Sequence, residues 1–353
     1  MDQVRLGRTD LRASRVGMGG IPIQRPPFDE AVDVIRRALD LGVTLIDTSR
    51  GYGESEDRIG EALAERRDGV IIATKGGWRD ATMAGEHIET SLERLKTDRI
   101  DLWQFHGVNT LEGYEGLFVE GGAMEAAQEA LRAGKILHIG LTSHSPDVAR
   151  RAIVEGHVET IQVPFNLIGR ETGEELAPLA RKHDVGFIAM KPFAGGMLRT
   201  ASLAIRYLLQ FENVVPIPGV ERASEIEEIV GIAEGPVQPF TTEELKQIDE
   251  IRERVGTRFC RRCRYCMPCP QGVEIQSLMT LPVMWELWPP EVVFSDRPIG
   301  AYAKRAVASA ENCVGCGECE TKCPYELPIR EMIGEHVELY RREVAAHAAS
   351  EGG

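Results

Sequence analysis

All eight cysteines of this 353-residue chain fall between positions 260 and 323, as Cys260, Cys263, Cys266 and Cys269 and then Cys313, Cys316, Cys319 and Cys323. Thiolates spaced C-x2-C-x2-C put three sulfurs on one side of a tight loop, where they can wrap one face of a [4Fe-4S] cube and leave a remote cysteine to complete it. Each fourth cysteine precedes a proline, Pro270 or Pro324. The motifs then continue alike, Cys-Pro-Gln-Gly-Val-Glu-Ile at 269–275 and Cys-Pro-Tyr-Glu-Leu-Pro-Ile at 323–329. Two [4Fe-4S] clusters held by an internally duplicated unit are therefore expected, and the chemistry is one-electron transfer. A four-thiolate zinc site favours two C-x2-C knuckles far apart, unlike the crowded first tetrad. Disulfides are disfavoured because the first residues contain no apolar export core.

The charges around the two tetrads differ. Arg261, Arg262 and Arg264 lie among the first cysteines, whereas Glu311, Glu318 and Glu320 face Lys322 alone among the second. Reduction adds negative charge, so the cluster of Cys260, Cys263 and Cys266 is expected to have the higher potential, about 59 mV for each 1.4 kcal/mol of difference.

A second constellation lies upstream. Asp47, Tyr52, Lys75 and His106 each follow or end a short apolar run. A phenol with its ordinary pKa near 10 is a poor proton donor, but a neighbouring ammonium stabilises the phenolate and an aspartate can hold that ammonium in place. With a histidine to orient the substrate, the four suit proton delivery to a carbonyl during its reduction.

The elements that must position these residues follow from hydrophobic periodicity. Candidate strands occupy 16–20, 43–47, 70–75, 100–105, 136–141, 160–165, 185–190 and 214–218, with amphipathic segments between them. Ala31, Val34, Ile35, Ala38 and Leu39 form one helical stripe ended by Gly42; Ala127, Ala130 and Leu131 form another, ended by Gly134. Ser145-Pro146 marks an N-cap and first helical position. Eight such units predict an α/β (β/α)8 TIM barrel, with a doubly wound open sheet as the alternative. In a barrel, polar residues at the C-terminal strand ends line the active site, which is where the four residues fall. Residues 4–11 predict a hairpin plugging the barrel's bottom. Thr241 and Glu244 form a capping box for a helix running to about Val255 and ended by Gly256. The domains are thus expected to be a barrel over 1–256 and a largely helical iron-sulfur domain over 257–353.

Composition sets limits on partners. The chain is 43% hydrophobic and 27% charged with a formal net charge of −14, which argues against nucleic acid or an anionic membrane as partner. No run approaches the roughly 18 apolar residues needed to span a bilayer, so a cytoplasmic location is expected.

Residues 1 to about 235 resemble the aldo-keto reductases. The resemblance rests on Leu45-Ile46-Asp47-Thr48-Ser49-Arg50-Gly51-Tyr52-Gly53-Glu54-Ser55-Glu56, Ala73-Thr74-Lys75, Asp101-Leu102-Trp103-Gln104-Phe105-His106, Ile139-Gly140-Leu141-Thr142-Ser143 and Gln162-Val163-Pro164-Phe165-Asn166, in the family's order and spacing. It implies hydride transfer between NADP(H) or NAD(H) and a small carbonyl or alcohol substrate, with Asp47, Tyr52, Lys75 and His106 as the catalytic tetrad and Tyr52 as general acid. It further implies that Ser143 and Gln162 hold the nicotinamide, with Gly20, Asp47 and Thr142 nearby. The loop with Lys191, Pro192, Phe193 and Gly195 would cradle the pyrophosphate, and Pro218, Gly219 and Arg222 would border the adenosine end.

The sequence departs from that pattern at several points. Gly219, Val220 and Glu225 stand where NADPH-binding members grip the 2′-phosphate, leaving Arg222 alone nearby, and Glu225 repels a phosphate dianion. Met190 replaces the aromatic ring that often stacks on the nicotinamide. His144, Trp78 and Trp103 are further candidates for the pocket, whereas Trp285 and Trp288 are expected to pack the insertion between cysteine motifs against the barrel.

The C-terminal stretch resembles bacterial-type two-cluster ferredoxins. This implies that Cys323 completes the cluster of Cys260, Cys263 and Cys266, and that Cys269 completes that of Cys313, Cys316 and Cys319. The first motif departs by one residue in the spacing of its last two cysteines. The function expected is an oxidoreductase with clusters for electron transfer and a ferredoxin or other redox protein as partner. The alternative is an electron-transfer or ferredoxin-linked protein whose barrel performs no nicotinamide turnover.

Overall fold

The computed structural model describes Met1 to Glu351, except positions 197, 199, 257, 261–264, 283, 285–287, 289, 297 and 324. The chain divides into two compact units, Met1–Ala194 with Leu198–Glu244, and Leu245–Gly353 with Gly195–Met197.

The first unit begins with an antiparallel hairpin, β1 (Gln3–Arg5) and β2 (Arg12–Ser14), followed by eight parallel strands. These are β3 (Met18–Gly19), β4 (Leu45–Asp47), β5 (Ile71–Gly76), β6 (Ile100–Phe105), β7 (Ile136–Thr142), β8 (Thr160–Pro164), β9 (Gly186–Met190) and β10 (Val214–Pro216). They lie in sequence order, and the ring is closed by Gly17 N–H to Pro216 C=O at 2.9 Å, Gly19 N–H to Pro218 C=O at 2.8 Å and a parallel bridge between Gly19 and Gly219. This is the expected (β/α)8 barrel. Both β5 and β6 are buried along their whole length, as strands enclosed by helices on one side and a barrel core on the other must be. Val4, Leu6 and Ala13 of the hairpin region join Leu45, Ile71 and Leu102 in the barrel's interior core, so the hairpin does plug its bottom.

Local signals agree with these elements. The helix Phe28–Asp40 buries Ala31, Val34, Ile35 and Ala38, and Gly42 follows it in the left-handed region at φ 83°. Ser145 accepts from Val148 N–H to cap Pro146–Glu155. Thr241 Oγ1 accepts from Glu244 N–H at 3.2 Å while the Glu244 carboxylate accepts from Thr241 N–H at 2.8 Å, a reciprocal capping box for the helix Thr242–Gly256.

The second unit contains the short helices Ile275–Leu278, Pro290–Val293 and Glu318–Thr321 and the longer Pro298–Ser309 and Ile329–Glu351. The duplicated motifs are structurally equivalent. Val273 and Ile275 in one, and Leu327 and Ile329 in the other, are each 2% exposed and share one core. Gly272 and Glu326 occupy matching positions, and both are left-handed, at φ 73° and 52°. In each copy the fourth cysteine's carbonyl accepts from that left-handed residue's N–H, at 3.0 and 3.2 Å, and the isoleucine then starts a helix. Trp288 is half-buried and packs against this same core. Trp285 lies outside the described residues.

Candidate active site and cysteine centre

The strand register explains how three of the four upstream residues meet. Asp47 ends β4 and pairs with Ala73 of β5; Lys75, two residues farther along β5, pairs with Gln104 of β6, and His106 follows one residue beyond that strand. Side chains two apart on a strand share a face, so Ala73 and Lys75, and likewise Leu102 and Gln104, point into the barrel. Lys75 Nζ donates to Asp47 Oδ1 at 2.6 Å and to the Thr48 carbonyl at 2.6 Å, with Lys75 1% and Asp47 3% exposed. The Lys75 ammonium lies 5.0 Å from the centre of the Tyr52 ring, and the Tyr52 and His106 rings meet edge to face at 5.6 Å. The structure thus brings Asp47, Tyr52, Lys75 and His106 together at one end of the barrel.

Burial dominates the electrostatics. It pushes the Tyr52 phenol above its ordinary value; Lys75 opposes the shift and Asp47 adds to it. The sequence-based expectation was that Lys75 would lower this pKa. Its ammonium does act in that direction, but loss of solvent around the phenol outweighs it. Burial also lowers Lys75, yet Asp47 and Tyr52 outweigh it and the ammonium is held above its usual range. Burial raises Asp47 against Lys75, Gln162 and Gln104. His106 is pushed down to about 3 by burial, then by Lys75 and Lys191, so its ring is neutral at pH 7.

Gln104 and Gln162 were quoted only within longer motifs or as a nicotinamide contact, but both donate to Asp47, at 3.3 and 3.4 Å. Their carbonyl oxygens are buried without a hydrogen-bond partner. That orphaned Gln162 oxygen matches the NH2 of a carboxamide, which is the fit the nicotinamide reading requires. Ser143 is otherwise engaged: its hydroxyl donates to Val108 C=O at 2.6 Å and accepts from Ser145 N–H at 3.0 Å. Thr142 Oγ1 accepts from Gly107 N–H at 2.7 Å. Gly20 N–H donates to Asp47 C=O at 2.7 Å, and a Cβ there would come within 2.7 Å of Ser55 Oγ, so only glycine seats the end of β3 against β4.

In the loop after β9, Lys191 is left-handed at φ 58°, its carbonyl accepts from Asn166 Nδ2 at 3.1 Å, and its Nζ lies 2.8 Å from His144 Nε2. Pro192 is buried and Phe193 half-buried, and Gly195 is left-handed at φ 74°. Beyond β10, Pro218 is buried, Gly219 is exposed, and Arg222 forms an ion pair with Glu225 at 2.6 Å. Met190, Val220 and Glu225 therefore stand where the departures from the nucleotide-binding pattern were noted. Trp78 donates to the His106 carbonyl at 2.8 Å. Trp103 does not line the pocket: it is completely buried on the outer face of β6, against Gly76.

The cysteines form a second centre. Cys266, Cys269, Cys313, Cys316 and Cys319, with Lys322, line a shallow hollow that opens to solvent. Cys313 and Cys316 are exposed; Cys260, Cys266, Cys269, Cys319 and Cys323 are partly buried, and all seven are unbridged. A thiolate-rich hollow suits iron-sulfur chemistry, and the presence of Cys269 beside the three thiols of the other motif fits an exchanged fourth ligand. Cys263, Arg261, Arg262, Arg264 and Pro324 lie outside the described residues, and with them the basic side of the expected contrast in potential. Among the described residues no helix is long and apolar enough to cross a membrane.

Known proteins match the same two regions. Residues 15–202 match the profile of the Aldo/keto reductase family, and residues 259–328 match that of a 4Fe-4S dicluster domain. The aldo-keto reductase YhdN of Bacillus subtilis is 33% identical over 233 residues, covering 61% of this chain and 68% of that protein. The oxidoreductase YqkF of the same organism, itself uncharacterized, is 31% identical over 212 residues, 56% of this chain and 67% of the other. Among solved structures, the holo form of an aldo-keto reductase from Bacillus halodurans superimposes with a TM-score of 0.62 at 25% identity, covering 71% of this chain and 96% of its own. Fold and sequence profiles agree that this chain is an oxidoreductase of the aldo/keto reductase family carrying a C-terminal 4Fe-4S dicluster domain.

Proposed function

We propose that the barrel reduces a small aldehyde or ketone with NADPH or NADH, and that two [4Fe-4S] clusters in the second unit exchange single electrons with a redox partner such as a ferredoxin. The observation that carries the first part is the buried Lys75–Asp47 pair, 2.6 Å apart, beneath the ring of Tyr52 and beside His106. Bound nicotinamide would supply the hydride. Tyr52 then donates its proton to the carbonyl oxygen as negative charge develops there, and Lys75 stabilises the phenolate left behind. Asp47 keeps Lys75 charged and fixed, with Gln104 donating to the other carboxylate oxygen and Gln162 to the one that also accepts from Lys75. Neutral His106 orients the carbonyl and keeps water from competing for Tyr52. Gln162 also offers its unpartnered oxygen to the carboxamide, while Lys191 and Arg222 are the cations available to the nucleotide's phosphates. In the second unit we assign Cys260, Cys263, Cys266 and Cys323 to one cluster and Cys313, Cys316, Cys319 and Cys269 to the other, within a domain beginning near residue 257.

Anaerobically purified protein, loaded with iron and sulfide, should oxidise NADPH or NADH in the presence of members of an aldehyde and ketone panel. Tyr52→Phe should abolish that rate. Full cluster loading with no carbonyl consumed under either nucleotide would instead favour a barrel without nicotinamide turnover.

A further inference from the structure

We propose that Ser49 is a positioning residue that fixes His106 as the tautomer protonated on Nε2, so that the ring presents a hydrogen-bond donor to the substrate oxygen; this rests on the carbonyl-reduction reading above. Ser49 is 1% exposed, and its Oγ lies 3.0 Å from His106 Nδ1. The same oxygen accepts from Gly51 N–H at 3.2 Å and lies 3.2 Å from the Lys75 carbonyl. A serine hydroxyl has one proton to give, to the carbonyl or to the imidazole. The Lys75 carbonyl already accepts the Arg50 N–H at 2.9 Å. The imidazole contact is shorter, and giving the proton to Nδ1 leaves Oγ as acceptor for Gly51 with every group satisfied.

A neutral imidazole has one N–H, so accepting at Nδ1 places it on Nε2, which has no hydrogen-bond partner among the described residues. Trp78 holds the backbone of the same residue through the His106 carbonyl, at 2.8 Å. Ring and main chain are thus pinned from separate directions, and the ring lies edge to face with that of Tyr52, the two ring centres 5.6 Å apart. Two hydrogen-bond donors then converge on one carbonyl oxygen, the phenol of Tyr52 and Nε2–H of His106. With the opposite tautomer, a lone pair would face that oxygen and repel it.

The test is ¹⁵N NMR of the full-length, cluster-loaded protein with labelled histidine, the His106 signal being assigned by its loss in His106→Gln. The wild type should show Nδ1 unprotonated and Nε2 protonated across neutral pH. Ser49→Ala should shift the ring toward a mixture of tautomers and lower kcat/KM for carbonyl reduction roughly tenfold, the worth of one directed hydrogen bond. Ser49→Thr, which keeps the hydroxyl, should restore both. A wild-type ring protonated on Nδ1, or an unchanged tautomer in a folded Ser49→Ala protein, would overturn the proposal. The expected tautomer without any carbonyl turnover would sink the reaction while leaving the assignment of Ser49 intact.

Discussion

In the barrel, Asp47, Lys75 and His106 reach one another from three adjacent strands whose backbones are hydrogen-bonded in register. In the second unit, most of the described cysteines sit on loops, Cys319 lies in the one-turn helix Glu318–Thr321, and a further helix begins at the isoleucine after each motif, Ile275 or Ile329. The barrel therefore fixes these residues through the ladder itself, and Lys75 and Asp47 form a buried pair at 2.6 Å. The second unit anchors the exits of its motifs, through Val273 and Ile275 in one copy and Leu327 and Ile329 in the other. The barrel residues are thus positioned by strand register, and the cysteines by loops anchored on a small core.

The largest effect expected is from Tyr52→Phe, which removes the proton donor from a site otherwise unchanged. Turnover in steady-state assays should fall by about 10²–10⁴-fold, the range for a positioned acid, with iron content and the visible absorption of the protein unaltered. A parallel loss of iron would mean that the two units do not organise their sites independently. Lys75→Met comes next, because it strands the Asp47 carboxylate in a pocket where it is 3% exposed. Breaking a buried pair in this way costs about 3–5 kcal/mol, which should appear in calorimetry as destabilisation of the barrel transition alone. Adding Asp47→Leu should recover much of that stability and none of the activity. On the other side of the comparison, Cys269→Ala should lower iron from about eight to about four atoms per chain and leave carbonyl reduction within about twofold of wild type. An unchanged iron content would remove Cys269 from the ligand set.

Much of this contrast was legible in the sequence. Continuous apolar runs marked strands buried on both faces, and each candidate strand from 16–20 to 214–218 overlaps an observed one. The tetrad was legible because its members end or follow consecutive strands, a position that a barrel turns into proximity. What the sequence did not carry was solvent exclusion: Lys75 beside Tyr52 implied a lowered phenol pKa, but burial reverses the direction. The second hydrogen bond of Ser49 depends on a residue far along the chain, and nothing local marks it. In the duplicated motifs Gly272 signalled a left-handed turn, whereas its counterpart Glu326 adopts the same conformation without a residue type that favours it.

The pH profile tests the barrel's preorganisation more finely. With Tyr52 raised above 10 and His106 lowered from 6.5 to about 3, kcat/KM for reduction should be level through neutrality and fall only at alkaline pH, as Tyr52 loses its proton. A break near 6.5 would show that His106 is solvated and titrating normally. Stability follows the same signs. Below 6.5 the unfolded chain takes up the His106 proton first, so the stability associated with the neutral ring is complete above 6.5 and is lost as pH falls toward about 3. Above 10 the unfolded phenol ionises first, and stability declines as pH rises.

The smallest effect concerns Glu225, whose carboxylate spends one oxygen on Arg222 at 2.6 Å and the other on the N–H groups of Glu221 and Arg222 at 2.7 and 3.2 Å. In this arrangement Arg222, the cation that the proposed nucleotide reading sets beside a 2′-phosphate, is paired with a carboxylate, and the helix start at Ala223 is capped by the same group. Glu225→Gln preserves an acceptor for the backbone while removing the charge, so Arg222 is released without unwinding the helix. The ratio of kcat/KM for NADPH over NADH should then rise by about tenfold, equivalent to about 1.4 kcal/mol, and the increment should shrink with added salt because Arg222 is exposed. Arg222→Ala in the same background should return the ratio to its starting value. If instead Glu225→Gln changes both nucleotides equally, the carboxylate acts on the helix alone, and selection between NADPH and NADH is made elsewhere in the pocket.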